Sequence, residues 1–173
     1  YKQKRHTRAT VAKERGLDPL AIALIEQRRD LPDIRKLAEE FIDAQKDVKS
    51  TDDALAGASD ILAEMISDSA DIRRKLRELF MKKGVLSSAA AKEEDSVYGL
   101  YYKFSQLLSR LQGHQILAIN RGEKEGFLKV SLNIDRDWAL GLVWNEAVKP
   151  GSKASDFVRS AAEDGYNRLL FPS

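Results

Sequence analysis

The stretch from His114 to Val130, HQILAINRGEKEGFLKV, constrains the fold of this chain more than any other. An apolar run at residues 116–119 passes directly into the segment RGEKEG, residues 121–126. Ordinary core packing explains the two flanks. Two glycines that bracket alternating charges after an arginine indicate instead a backbone that turns sharply and holds charge in a fixed place.

A strand is predicted immediately after this turn. Leu128, Val130, Leu132 and Ile134 alternate with polar residues, and a period of two is typical of a half-buried strand. Such a strand needs a partner, which could be residues 116–120 in a hairpin or a part of the protein outside this chain. Four consecutive apolar residues fit a buried helix as well as a strand, so residues 114–123 are open to either structure on spacing alone.

Capping residues and apolar spacing predict helices along most of the chain. Thr7 can cap a helix from Arg8 to Arg15 that Gly16 closes, and Asp18-Pro19 opens a second helix. Two short helices joined by a glycine-containing turn within residues 1–30 have the outline of a helix-turn-helix. Further helices are predicted over residues 33–42, from Ser50 to about Ser67, between Ser69 and Gly84, over 97–111, between Asp135 and Pro150, and over 154–170.

The helix that ends near Ser67 begins with small residues, including Gly57 and Ala58, which would let another helix approach closely. Residues 85–95 mix serine, alanine and charge without periodicity and are predicted to form a mobile connection. These features predict a mainly α fold over residues 1–173. We expect a single domain, an irregular multi-helix bundle that includes the helix-turn-helix-like opening and at most one small β element.

Composition narrows the classes of function. The chain has no cysteine, which excludes disulfide frameworks, thiolate metal sites and thiol nucleophiles and favours a cytoplasmic location. No apolar segment approaches the roughly 20 residues that span a bilayer, so we expect no membrane partner. Lys and Arg number 29 against 27 Asp and Glu, a net charge of +2, so a nucleic-acid role must depend on local asymmetry of charge.

The strongest local asymmetry is a basic cluster at the start of the chain. Its members are Lys2, Lys4, Arg5, Arg8, Lys13 and Arg15, opposed by Glu14 alone. Such an excess suits phosphate contacts, and the amides at the helix start beside Thr7 would add to them. A solvated helix next to a frayed terminus explains the same residues equally well. A second basic run at residues 73–83 and the aromatic residues at 98–104 are better explained as a solvated helix face and as packing.

A candidate structural motif is the second feature of interest, and its members are His114, Arg121, Gly122, Glu123, Glu125 and Gly126. No pattern with metal-ligand spacing, no glycine-rich phosphate loop and no serine elbow is present in the sequence. We therefore interpret His114 as a helix-start residue, and Arg121 with Glu123 or Glu125 as an ion pair that pins the turn. We predict no catalytic residue, no bound metal and no cofactor.

The same motif resembles the signature H-R-x-L-A-x-x-R-G-E-x-E-G-x-L of the Tex family of bacterial transcription accessory proteins. Three other segments are similar to that family, in order along the chain: Tyr1–Ala21, Ala54–Ile66 and Asp164–Ser173. The sequence departs from the family pattern at Gln115, where an arginine is expected, and at His6 in an otherwise arginine-rich run. The resemblance favours a helix over residues 114–123.

The resemblance implies a large cytoplasmic protein with an N-terminal helical region, an RNase H-like domain, a helix-hairpin-helix element and a C-terminal OB-type RNA-binding domain. The abrupt start without methionine fits a fragment of the first region. The implied function is a helical scaffold module of an RNA-binding transcription accessory protein, with weak, sequence-independent phosphate contacts through the basic start. RNA or DNA would bind mainly through domains outside this chain.

The alternative is a protein-protein interaction scaffold. It would dock the other Tex domains or the transcription machinery and would bind no nucleic acid itself.

Overall fold

The structure is a computed structural model that describes residues 7–170, and over that range the chain is mainly helical, as predicted. The helices are α1 (Arg8–Glu14), α2 (Asp18–Glu26), α3 (Ile34–Glu39), α4 (Thr51–Ser67), α5 (Ala70–Lys83), α6 (Gly113–Lys124), α7 (Arg136–Ala147) and α8 (Ser155–Gly165). The strands are β1 (Val85–Ala90), β2 (Lys103–Leu107) and β3 (Leu128–Asn133). No helix in this described part is long and apolar enough to cross a membrane.

The described residues fall into two compact units. The helical unit comprises the described residues up to Arg73 together with those from Leu140 onward. The sheet unit comprises Arg74–Ala139. The division falls within α5 and α7.

The helical unit begins with the predicted caps. Thr7 Oγ1 accepts a hydrogen bond from the backbone N–H of Thr10 at 3.1 Å, which satisfies a free amide at the start of α1. Gly16 follows α1 with a φ of +78°, a left-handed conformation that glycine adopts with little strain. Thus α1 and α2 are two short helices joined by a glycine-containing turn, as the sequence predicted.

The centre of the helical unit is α4, because α1, α2, α3 and α8 all pack against it. A Cβ atom on Gly57 of α4 would lie 2.3 Å from Leu17 Cδ1, and a Cβ atom on Gly165 of α8 would lie 2.8 Å from the backbone oxygen of Ala63. Small residues on α4 therefore admit close neighbours, as predicted. The core around them is apolar, and its large fully buried side chains include Leu17, Leu20, Leu24, Val48, Ile61, Leu62, Val143 and Val158.

A buried glutamine joins the end of α2 to the end of α7. Gln27 is 4% exposed and follows α2 with a φ of 50°. Its Nε2 donates to the carbonyl oxygen of Ala147 at 2.9 Å, and its Oε1 accepts from the backbone N–H of Lys149 at 2.7 Å. Both ends of the buried amide are thereby satisfied, and the cost of burying it is offset.

The helix predicted over residues 33–42 is shorter in the structure. Asp33 caps α3, but α3 ends at Glu39 and Ile42 is 43% exposed. The backbone N–H of Phe41 donates to Ala38 at 3.0 Å, which is the tighter i→i−3 pattern of a terminating helix. The chain then reverses through the bridge between Asp43 and Val48, so the last apolar residues of the pattern leave the buried face.

The sheet unit contains an antiparallel sheet with the strand order β2-β1-β3, so the expected maximum of one small β element is too low. Residues 85–95, predicted to be a mobile connection, form its central strand over Val85–Ala90. The two neighbouring strands satisfy the backbone hydrogen bonds of β1 from both sides. The sequence of β1, VLSSAA, has no apolar periodicity that would reveal this pairing, because its last four residues are serine and alanine.

The helix predicted over residues 97–111 is wrong. This segment contains 3₁₀ turns at Gly99–Tyr101 and Leu108–Arg110, with β2 between them. Tyr101 and Phe104 pack around a core of Tyr98, Ile119 and Leu128, which confirms the packing role predicted for the aromatic group. Tyr101 and Phe104 are three residues apart, a spacing that is also typical of a helix. Here a 3₁₀ turn followed by a strand brings both rings to the same core.

On either side of the RGEKEG turn, α6 and β3 confirm the predicted helix and strand. The partner of β3 is β1, with Ala90 opposite Leu128 and Val85 opposite Asn133. Neither partner considered from the sequence is correct, since residues 116–120 lie in α6 and β1 belongs to this chain.

Replacing Gly165 with alanine should destabilise the protein by about 1–3 kcal/mol, because the new Cβ would overlap the Ala63 carbonyl oxygen and force α8 away from α4. Urea unfolding measures the difference. Gly141→Ala in α7 is the matched control, since a Cβ there meets no atom within 4 Å and the loss of a helical glycine should stabilise by up to about 1 kcal/mol. Equal effects of the two changes would contradict the close approach of α8 to α4.

Candidate functional site

The basic cluster predicted from the sequence is only partly visible in the structure. Lys2, Lys4 and Arg5 lie outside the described residues. Arg8 is the first residue of α1, Lys13 lies in its last turn, and Arg15 is its C-cap. At 3.6 residues per turn, Arg8 and Arg15 lie on one face of the helix and Lys13 lies on another.

The face that carries Arg8 and Arg15 borders an open cleft of about 250 Å³ beside α4. The residues of α1 and its cap that line the cleft are Arg8, Val11, Ala12 and Arg15, and those of α4 are Asp53, Ala56, Gly57 and Asp60. Both sets have the spacing i, i+3, i+4, i+7, so one helix face meets another. The cleft thus has a basic side and an acidic side with apolar residues between them.

The arginines of the cleft interact with carboxylates of the same unit. Arg15 Nη2 lies 3.1 Å from Asp47 Oδ2. Arg8 lies near enough to Asp60 and Asp164 for its charge to favour the ionised form of both carboxylates. A phosphate at either guanidinium would have to compete with these acids.

Arg168 is the main partner of the same two carboxylates. It binds Asp164 with two parallel hydrogen bonds, Nε to Oδ1 at 2.9 Å and Nη2 to Oδ2 at 2.7 Å, and its Nη2 lies 3.7 Å from Asp60 Oδ1. The hydrogen bonds from Arg168 hold the pKa of Asp164 below its ordinary value. Burial raises the pKa of Asp60 and outweighs the attraction of Arg168 and Arg8, which is consistent with the longer distance to Arg168.

The start of α1 also faces an acid. Thr7 Oγ1 donates a hydrogen bond to Glu64 Oε2 at 2.9 Å while it accepts from Thr10. The glutamate places negative charge beside the amides that the sequence suggested as phosphate ligands. The helix start is therefore less suited to an anion than the sequence implied.

The RGEKEG turn closes α6 in a compact hydrogen-bonded form. Gly126 has a φ of +82°, and the backbone N–H of Phe127 donates to the Gly122 carbonyl at 2.9 Å. The N–H of Gly126 donates to the Glu123 carbonyl at 3.1 Å. A left-handed glycine with two such bonds is a common helix ending, so the sharp turn inferred from the sequence is present.

The start of α6 is held by a glutamine. His114 lies in the first turn of α6 and is exposed. Gln115 Oε1 accepts a hydrogen bond from the backbone N–H of Gln112 at 3.0 Å. The residue that departs from the Tex signature thus acts here as a helix cap.

The ion pair predicted between Arg121 and Glu123 or Glu125 does not form within the described residues, where all three side chains are exposed. Glu125 instead accepts a hydrogen bond from the hydroxyl of Tyr98 at 2.6 Å. This hydrogen bond, with a contribution from burial, raises the pKa of Tyr98 above its ordinary value. No local pattern predicts this pair, because its two members are 27 residues apart.

The buried member of the motif is Gly122, which brings α6 against β3. A Cβ atom there would lie 2.5 Å from Leu128 Cδ1 and 3.2 Å from Tyr98 Cδ1. Leu128, Tyr98 and Ile119 form the core of the sheet unit. The motif therefore packs a helix on a strand through its first glycine and reverses the chain through its second.

The distribution of histidine and acidic side chains bears on metal ligation. Among residues 7–170, no group of three or more histidine and acidic side chains lies close enough together to hold a metal ion.

Comparison with known proteins places these features in a family. The Tex central region-like family matches residues 31–164. The chain is 36% identical to the uncharacterized protein YdcI of Bacillus subtilis, over all of this chain and 25% of that protein. It is 35% identical to protein tex of Bordetella pertussis, over 79% of this chain and 17% of that protein. It is 29% identical to the human S1 RNA-binding domain-containing protein 1, over 96% of this chain and 18% of that protein.

The chain therefore spans a quarter or less of the length of these relatives. The matched family is described as a central region, where the resemblance had led us to expect the N-terminal region.

Gly122→Ala should destabilise the protein by about 1–3 kcal/mol, because the new Cβ would displace the buried Leu128. Arg121→Ala should change stability by less than about 0.5 kcal/mol, since its side chain is exposed and forms no ion pair within the described residues. Urea unfolding of the two variants in parallel provides the comparison. A large loss of stability for Arg121→Ala would contradict this expectation and support the ion pair predicted from the sequence.

Asp164→Asn should make stability less dependent on pH in the acidic range. Arg168 lowers the folded-state pKa of Asp164, so this contribution to stability is present above the unfolded-state pKa of about 4 and is lost as the pH falls through the folded-state pKa. Unfolding free energies measured between about pH 7 and about pH 3 should fall less steeply in the variant. Asp60→Asn is the contrasting change. Burial raises the folded-state pKa of Asp60, so folding disfavours its charged form. A greater loss at neutral pH for Asp60→Asn than for Asp164→Asn would contradict this assignment.

Proposed function

Because the chain belongs to the Tex central region-like family, we propose that it is a helical scaffold module of a nucleic-acid-binding transcription accessory protein. In this proposal the basic N-terminal segment adds weak, sequence-independent phosphate contacts, and other regions of the longer protein bind nucleic acid more strongly. The relatives support it, since one is a tex protein and another an S1 RNA-binding domain-containing protein.

The observation that carries the scaffold role is the packing of the helical unit around α4. Four helices contact this one helix, and two glycines allow approaches that side chains would prevent. Burial of this extent fixes the relative positions of the helices, and a rigid support for other domains needs that property. The charges of the cleft add ion pairs within the same unit, such as Arg15 with Asp47.

A second candidate is the protein-protein interaction scaffold without nucleic-acid binding of its own. Exposed apolar side chains in the sheet unit favour it. Val97 is 88% exposed, Leu100 is 85% exposed and Leu117 is 70% exposed. Exposed apolar side chains of this size are candidate contacts for a protein partner, and the other Tex domains or the transcription machinery would be the partners.

The two candidates differ in the effect of charge at the start of the chain. In the first, replacing Lys2, Lys4 and Arg5 together with glutamine should weaken binding to any nucleic-acid sequence. The slope of log affinity against log salt should fall by about 0.7 for each lost contact with a single strand. Fluorescence anisotropy at low and moderate salt measures both quantities.

The paired variant Arg8→Gln with Arg15→Gln is the control. These two side chains interact with Asp60, Asp164 and Asp47. Their loss should therefore lower the melting temperature and have only a small effect on the affinity for nucleic acid. If the triple variant binds as tightly as the unaltered chain, the basic start makes no phosphate contact and the second candidate is the better account.

A further inference from the structure

Formal charge is distributed unequally between the two units. Residues 74–139, the sheet unit, contain 12 Lys and Arg and 8 Asp and Glu, a net charge of +4. The rest of the chain contains 17 and 19, a net charge of −2, even though it includes the basic cluster at the start. A polyanion would therefore be attracted more strongly to the sheet unit.

One face of the sheet is already covered within its own unit. Leu86, Phe104 and Val130 pack against the core of Tyr98, Ile119 and Leu128. Side chains alternate between faces along each strand, so the residues between these project from the opposite face. The hydrogen bond between Ser87 Oγ and Ser105 Oγ at 3.5 Å confirms that the intervening side chains share one side.

That opposite face, which we name the open face, consists of rows defined by the strand register. One row contains Lys103, Ala89 and Lys129, and the adjacent row contains Ser105, Ser87 and Ser131. All six are exposed except Ser87, which is half-buried. Neighbouring strands lie about 4.8 Å apart, so the two lysine Cα atoms are about 10 Å apart across the alanine.

The open face has donors for an anion and no carboxylate within its strands. The sequences VLSSAA, KFSQL and LKVSLN contain neither aspartate nor glutamate. Glu93, Glu94 and Asp95 follow β1 in a loop, but within the described residues neither Lys103 nor Lys129 forms an ion pair with them or with any other acid. Unlike Arg8 and Arg15, these lysines are not engaged by carboxylates of the described chain.

We propose that the open face binds the phosphate backbone of a single-stranded nucleic acid. A phosphate above Ala89 would lie between Lys103 and Lys129, since the alanine methyl leaves the space between the flexible lysine stems open. The hydroxyls of Ser105 and Ser131 would donate to neighbouring phosphate or sugar oxygens, while the Ser87 hydroxyl donates to Ser105. The serine and lysine rows bear no aromatic side chain for stacking, so contact is independent of base sequence.

The chemistry of the face favours nucleic acid over a protein partner. Protein interfaces depend on a buried centre enriched in aromatic side chains and are depleted in lysine and serine. These two rows offer lysine, serine and a single alanine methyl, and the apolar side chains of Leu107 and Val85 are confined, with Asn133, to a third row at one end of the face. Charge and hydroxyl donors are the principal means by which proteins hold a phosphate backbone.

The test uses the 173-residue chain with labelled oligouridylate and oligodeoxyuridylate of about 12 nucleotides, measured by anisotropy from about 50 mM to about 200 mM salt. The double variant Lys103→Gln with Lys129→Gln should bind both probes at least about fivefold more weakly at the low salt concentration. Its slope of log affinity against log salt should be smaller by about 1.4, which corresponds to two lost contacts. A preference for the RNA probe would identify contacts with the ribose hydroxyl, and equal loss for both probes would identify phosphate alone.

The matched control is Lys36→Gln with Lys124→Gln, which removes the same charge from exposed positions on α3 and α6. This control should retain the affinity and nearly all of the slope, and circular dichroism should show that both variants remain folded. Equal weakening by the two double variants would overturn the proposal, because it would reflect net charge alone. Unaltered binding by the Lys103 and Lys129 variant would overturn it as well. If the triple variant at the start of the chain lost binding in that case, the proposed function would stand without the open face.

Discussion

The close approach of neighbouring segments to α4 is the constraint on which the helical unit depends. At Gly57 there is no room for a Cβ atom beside Leu17, and at Gly165 there is none beside the Ala63 backbone. Interior packing in proteins is dense enough that one added methyl group requires a neighbour to move. The close approach of α1, α2 and α8 to α4 thus depends on small residues on α4 and α8.

Charged side chains in the helical unit pair with one another across the packed helices. The cleft beside α4 brings Arg8 and Arg15 to the acids of neighbouring elements, and Arg168 holds Asp164 through two hydrogen bonds. Exposed ion pairs of this kind contribute little individually, but they lower the attraction that the same arginines can offer a phosphate. Although the helical unit contains this basic cluster, its formal net charge is negative.

The sheet unit has a different organisation. Its core joins α6 to the sheet through Gly122, Leu128 and Tyr98, and the covered face of the sheet faces that core. The other face consists mainly of lysine, serine and asparagine on strands that contain no acid. Within the described residues, one face of the sheet therefore packs on the core and the other is mostly exposed.

Local patterns were sufficient to predict α1, α2, α4, α5 and β3, and the family resemblance added α6. A cap such as Thr7, a left-handed glycine such as Gly16 and a period of two or 3.6 act between residues that are neighbours in the chain. The resemblance to Tex likewise came from short segments and was confirmed by the match over residues 31–164. For the candidate site, the sequence identified which residues carry charge and where the chain turns at Gly126.

The tertiary structure decided how those residues are used. The pairing of β1 with β2 and β3, the bonds of Gln27 with the end of α7 and the hydrogen bond from Tyr98 to Glu125 join residues far apart in the chain. It also decided that Arg8 faces acids and that Lys103 and Lys129 lie in one row. Such contacts leave no periodic trace in a sequence, because they depend on where folding brings distant segments together and not on the spacing of neighbours.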